Sequence, residues 1–176
     1  MRTRWLDIAA VSLALGGCST SQGLLGSRDL SPDAGAYVAS ATAGDLFEMQ
    51  ASQLALTQAQ RPDVRALAQE LIEAHGQTTQ RLAAAALASG MSAPVPALTG
   101  RQQQMLGQLQ TAGPDSFDAT YLRHLIPAHR RAIRIHDAYA LSGDAEPLRF
   151  VASSAAAAVY GHLEEVHRIR RAAGFD

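Results

Sequence analysis

"YLRHLIPAHRRAIRIHDAYA", residues 121–140, carries three of the chain's six histidines, four arginines and a proline. Its apolar residues nevertheless keep a helical beat. Steps of about 3.6 residues through His129 pass Leu122, Leu125 and Ile126, Ile133, His136 and Ala140. The stretch therefore predicts a helix whose inward stripe includes imidazoles. Pro127, two residues before His129, removes the hydrogen bond to the carbonyl of Arg123 and crowds that turn. Because the stripe continues across it, Pro127 reads as a kink that curves the helix around a core, not as a stop; aiming His129 is the functional alternative.

The same step finds two more such stripes. Through His75 it passes Val64, Leu67, Ala68, Leu71, Thr78, Thr79 and Leu82; through His162 it passes Val151, Ala155, Ala158, Val159, Val166 and Ile169. An earlier segment is less regular, but Tyr37, Ala41, Gly44, Glu48, Ala51, Ser52 and Ala55 line one face of small residues. Four helices thus turn Glu48, His75, His129 and His162 inward. Their ends are marked by chemistry. Ser31 as N-cap, Pro32 at the first helical position and Asp33 against the dipole open the first helix, which runs to about residue 59. Pro62 opens the second and Gly90 closes it. Thr99 and Gln102 form a capping-box pattern for a short helix ended by Gly113-Pro114. The third long helix covers about 115–141, and Asp144 caps a fourth running to about residue 173. With no strand signal, these elements give an all-α four-helix bundle with a short extra helix between the second and third long helices.

Composition agrees. The chain has 176 residues, 47% hydrophobic, 5% aromatic and 18% charged, which suits one domain able to bury a core without staples. Every basic residue is arginine, and the net charge of −1 offers no electrostatic case for nucleic acid. The N-terminus reads as a lipoprotein signal peptide over residues 1–17. "MRTRW" supplies the positive start, "LDIAAVSLAL" is an apolar run too short to span a bilayer, and "LGGC" delivers Cys18, the only cysteine. Cys18 is expected to be lipidated, and residues 18–32 to form a Ser/Gly-rich tether ahead of the domain at 33–176. Ser19 after the cysteine resembles the outer-membrane sorting pattern, so the domain is expected to face the periplasm, held to the outer membrane by its N-terminal lipid.

"GDLFEMQASQLAL", "RPDVRALAQELIEAH", "FDATYLRHLIPAH" and "LRFVASSAAAAVYGHLEEV" resemble the bacterial envelope family called domain of unknown function DUF4142, over residues 36–173. The resemblance implies a ferritin-like four-helix fold, often exported or lipid-anchored, with no established activity. Glu48, His75, His129 and His162 match its positions, the same four found from periodicity. The chain departs in having Arg130 and Arg131 where relatives often carry acids, and Gln50 where a second glutamate is common.

A ferritin-like di-iron centre needs a Glu-x-x-His on each of two helices. The chain has one, Glu164 to His167, and both residues point away from the stripe through His162. A mononuclear site of three imidazoles and Glu48 fits better and would suit Zn, Cu or Fe. Counted from the turns, Glu48 and His75 lie within ~5 Å in depth, and His129 and His162 about 7 Å apart, at ~1.5 Å per residue. The plainer alternative is a set of core histidines satisfied by hydrogen bonds, with Glu48, Thr78, Thr79 and Tyr160 as partners. His136 is a second-layer candidate; His124 and His167 are placed on solvated faces. No nucleophile elbow, phosphate loop or dinucleotide fingerprint is present, so no catalytic residue is assigned. The expected role is binding or structural in the envelope, in stress tolerance among others, with a metal-dependent periplasmic redox protein as the alternative.

Overall fold

The computed structural model describes residues 33–93 and 95–175. Five helices follow in order: α1 (Ala34–Gln58), α2 (Pro62–Ala88), α3 (Gly100–Gln110), α4 (Pro114–Ser142) and α5 (Glu146–Ala173), with no strand among the described residues. The helix ends follow the local chemistry closely, with two corrections. Asp33, not Ser31, caps α1: its carboxylate accepts from the Ala36 N–H at 2.8 Å. Ser31 and Pro32 lie outside the described residues, as do the signal segment, Cys18 and the tether. Asp144 does not cap α5, whose N-cap is Ala145. It accepts instead from the Tyr139 hydroxyl at 2.7 Å and from the Ala34 N–H at 3.4 Å, tying the start of α1 to the α4/α5 turn. The capping box of Thr99 and Gln102 forms in full. Gly90 takes φ 76° after α2 and lets the Met91 N–H return to the Ala86 carbonyl. α4 runs unbroken through Pro127.

α1 packs on α2, α2 on α5, α5 on α4 and α4 on α1, closing a four-helix ring that α3 covers along α1 and α4. The buried carboxylate of Asp118, near the start of α4, accepts from the N–H groups of Gln60 at 3.1 Å and Arg61 at 2.9 Å. That pins the α1/α2 turn to the start of α4. Hence α1 and α5 run toward this end and α2 and α4 away from it. The α2-to-α4 connection must travel the length of the bundle, and α3 lies in it. This is the single long crossover of ferritin-like bundles.

Two apolar layers fill the interior. One, at the α1/α2 turn, includes Phe47, Leu67, Leu71, Phe117, Leu122, Leu125, Val166 and Ile169. The other, at the α4/α5 turn, includes Tyr37, Val38, Leu82, Tyr139, Leu148 and Val151. Tyr37 and Tyr139 stack there at 3.9 Å between ring centroids. Gly143 is glycine for a steric reason: a Cβ would lie 2.5 Å from the Tyr139 ring. No described helix is long and apolar enough to cross a membrane.

Candidate metal centre

Between the apolar layers lies a polar one. Glu48 from α1, His75 from α2, His129 from α4 and His162 from α5 all turn inward and are buried. Each sits on an otherwise apolar stripe of a different helix, so closing the ring brings them together. Imidazole centroids stand 6.1 Å apart for His75 and His129, 5.5 Å for His75 and His162, and 5.7 Å for His129 and His162. One ring nitrogen from each histidine lies within 4.8 Å of the others. Nitrogens sharing an ion at bonds of ~2.1 Å can be at most about 4.2 Å apart, so small ring rotations would complete the set.

The two side chains of each antiparallel pair meet despite unequal depth because helical side chains lean toward their own N-terminus. On α4 that lean carries His129 away from the α4/α5 turn; on α5 it carries His162 back toward it. The same opposition closes the gap between Glu48 and His75. The offset counted along the axes alone overstates the separation.

Hydrogen bonds set the orientation of the rings. His75 Nδ1 lies 2.8 Å from Asp45 Oδ1, and the second oxygen of Asp45 accepts from the Thr79 hydroxyl at 3.0 Å. His129 Nδ1 donates to the Leu125 carbonyl at 3.0 Å. With Nδ1 the donor in both, a neutral ring would leave Nε2 to present its lone pair, the arrangement by which a metal-binding histidine is usually oriented. His75 Nε2 is 3.2 Å from Glu48 Oε2, and His129 Nδ1 is 3.3 Å from the same oxygen. Neither contact is aligned as a hydrogen bond. Glu48 Oε2, His75 Nε2, His129 Nε2 and His162 Nδ1 are buried without a hydrogen-bond partner among the described residues. Three nitrogens and a carboxylate oxygen are thus left without a hydrogen bond in one buried layer, where such groups are ordinarily satisfied; ligand spacing holds for the three imidazoles, and Glu48 Oε2 lies beside His75 Nε2.

Charge is divided unevenly. Burial pushes the Glu48 carboxyl up, but the imidazoles of His129 and His75 outweigh it and hold Glu48 below the usual carboxylate range. Burial lowers His75, yet Glu48 and Asp45 together raise it to about 10. His129 is depressed by burial, and His162 falls to about 4 through burial and its two neighbouring imidazoles. At neutral pH His129 and His162 are therefore neutral, the ligand form, and His75 carries the proton. The residues fit a transition ion of the kind imidazole favours.

Asp45 was not among the residues read from sequence, although its spacing of three from Glu48 puts both carboxylates on one face of α1. His136 lies beyond the cluster, its Nδ1 3.1 Å from the Tyr37 hydroxyl, a pairing that periodicity did not anticipate. Of the partners expected for the histidines, Thr78 bonds the Ala74 carbonyl, and Tyr160 is half-exposed and donates to Asp137. His124 is a correction: it is buried, with Nε2 unpartnered, because α4 packs on three helices and buries a wider arc than one stripe. His167 is partly buried and Glu164 exposed, so that pair stays off the core.

The profile of the family described as "Domain of unknown function (DUF4142)" matches residues 19–169, and the chain belongs to that family. No curated protein matches it. Among solved structures, CopM in the Cu(II)-bound form superposes with a TM-score of 0.68 at 15% identity, covering 81% of this chain and 98% of that one. A DUF305 fragment from Deinococcus radiodurans gives 0.67 at 16%, covering 79% and 95%. CopM in the Cu(I)-bound form gives 0.67 at 14%, covering 80% and 97%. At these identities the likeness is one of fold.

Proposed function

We propose that this DUF4142 protein binds a transition-metal ion, copper foremost, in the polar layer of its bundle, and serves the cell envelope as a metal-binding protein. The observation that carries this reading is the ligand spacing of His75, His129 and His162, each with a buried nitrogen lacking a hydrogen bond, with Glu48 Oε2 beside His75. The copper-bound forms of CopM, a protein of similar fold, support copper over zinc or iron. Glu48, His75, His129 and His162 would hold the ion. Asp45 and the Leu125 carbonyl fix the first two rings, and His136 stands outside, held by Tyr37. Bound copper would supply a site able to change oxidation state, which keeps a periplasmic redox role as the second reading. With one carboxylate facing three imidazoles, the layer lacks the donor set of a di-iron oxidase. Electron paramagnetic resonance of chelator-treated protein mixed with one equivalent of Cu(II) should show nitrogen-ligated copper. The signal should change in His162→Ala. A signal identical in that variant would place the copper elsewhere.

The address belongs to the same proposal. Acylation of Cys18 after removal of residues 1–17 would anchor the domain by a tether to the outer membrane, facing the periplasm, since two acyl signals hold where one is marginal. Cys18→Ser is expected to leave an uncleaved precursor without palmitate label. Normal processing and membrane retention in that variant would refute it.

A further inference from the structure

A cavity of about 360 Å³ opens between α1, α3 and α4. Its inner wall carries the buried Asp45, Glu48, His75 and His136; its mouth carries the exposed Arg101 of α3 with Arg131 and Arg134 of α4. Among the described residues, none of the three arginines has a hydrogen-bond or ion-pair partner, although Arg61, Arg65, Arg149 and Arg168 elsewhere do. The lack of partners follows from sequence. α3 contains no acidic residue, and α4 has none between Asp118 and Asp137. The nearby carboxylate of Asp45 is already engaged by His75 and Thr79. Gly44 contributes room: a Cβ there would meet nothing within 4 Å, so no packing contact requires a glycine in the middle of α1.

We infer that this cavity is a binding site for a small multivalent oxyanion, a carboxylate or phosphate compound held by Arg101, Arg131 and Arg134. Guanidinium forks from two helices match paired anionic oxygens in a way that scattered surface charges do not. The volume suits a molecule at the small end of the usual ligand range. The inner wall reaches Glu48 and His75, so the anion would lie over one side of the polar layer. A bare cation approaching by this route is repelled by the three arginines, whereas one carried in an anionic complex is drawn in. Anion binding does not depend on a metal being present, and it is tested without one.

Calorimetric titration of the chelator-treated full chain with citrate, and separately with inorganic phosphate, decides it. The expected result is saturable binding of one anion per chain, weakened by salt. The double variant Arg131→Ala/Arg134→Ala should weaken it by roughly tenfold or more, since each lost guanidinium removes a charge-assisted contact. Arg168→Ala/Arg171→Ala, on α5, should leave it unchanged. Gly44→Leu, which projects into the cavity, should weaken it while the helical signal is retained. Preference for citrate would identify a carboxylate ligand, and preference for phosphate a phosphorylated one. No saturable binding of either anion overturns the inference, and so does binding equally weakened by both arginine pairs.

Discussion

The apolar layer at the α1/α2 turn and the polar layer beside it are built from the same four helices, yet they answer to different physics. In the apolar layer Leu71, Phe117, Leu122 and Leu125 have almost no exposed surface, and their contribution scales with the area removed from water. One helical turn on, the same faces deliver Glu48, His75, His129 and His162, whose burial costs free energy unless each polar atom finds a partner. Asp45, Thr79 and the Leu125 carbonyl satisfy part of that need. Four atoms remain without a hydrogen bond. A bundle this well packed would gain stability by filling the second layer like the first. A polar layer left incompletely satisfied fits the proposed metal site.

The contrast is sharpest under truncation. Leu71→Ala should cost about 2–5 kcal/mol in denaturant unfolding, through lost transfer energy and a residual cavity. Arg130→Ala, on the outer face of α4, should change stability by less than about 0.5 kcal/mol. The reverse order would mean that Leu71 does not face the core, or that Arg130 does.

Next in size is the response to copper. Cu(II) at a free concentration of about 100 times its dissociation constant should add roughly 2.7 kcal/mol. For a domain of this length that raises the melting temperature by about 5–10 °C. Leu71→Ala should melt lower but keep the whole increment, because its loss is confined to the apolar layer. An increment lost in Leu71→Ala would erase the distinction between layers.

Both layers were legible in the sequence to different depths. Stripes through His75, His129 and His162 gave the helices, their inward faces and the four converging residues, because a period of 3.6 survives single polar substitutions. Asp45 escaped because steps from Glu48 fall on Gly44, and only its partner, His75, reveals which neighbour is inward. His124 escaped because α4 packs on three helices, and the arc they bury is not written in α4 alone. Asp118 went unread, and Asp144 was misread as a cap, for a related reason. Asp118 bonds backbone groups of the distant α1/α2 turn and Asp144 the Ala34 N–H at the start of α1, whereas local spacing can show only caps within one helix.

Smaller shifts with pH separate the layers again. His75 titrates near 10 in the fold against an ordinary 6.5, so its share of stability is complete below pH 6.5 and is lost as pH rises toward 10. His162, held near 4, works in the opposite sense. The unfolded chain gains a proton that the fold refuses, and stability falls as pH drops from 6.5 toward 4. Metal-free protein should therefore melt highest near pH 6.5. Leu71→Ala should lower that curve without moving its maximum, whereas His162→Leu should flatten its acid side. A maximum displaced by Leu71→Ala would contradict the assignment.

The central claim, that the polar layer is a metal site, is tested most directly by calorimetric titration of chelator-treated protein with Cu(II) beside His129→Leu. Saturable binding of one ion per chain, with release of the His75 proton and at least roughly tenfold weakening in the variant, is the expected result. No saturable binding, or equal binding by the variant, would leave Glu48, His75, His129 and His162 as a hydrogen-bonded core layer and nothing more.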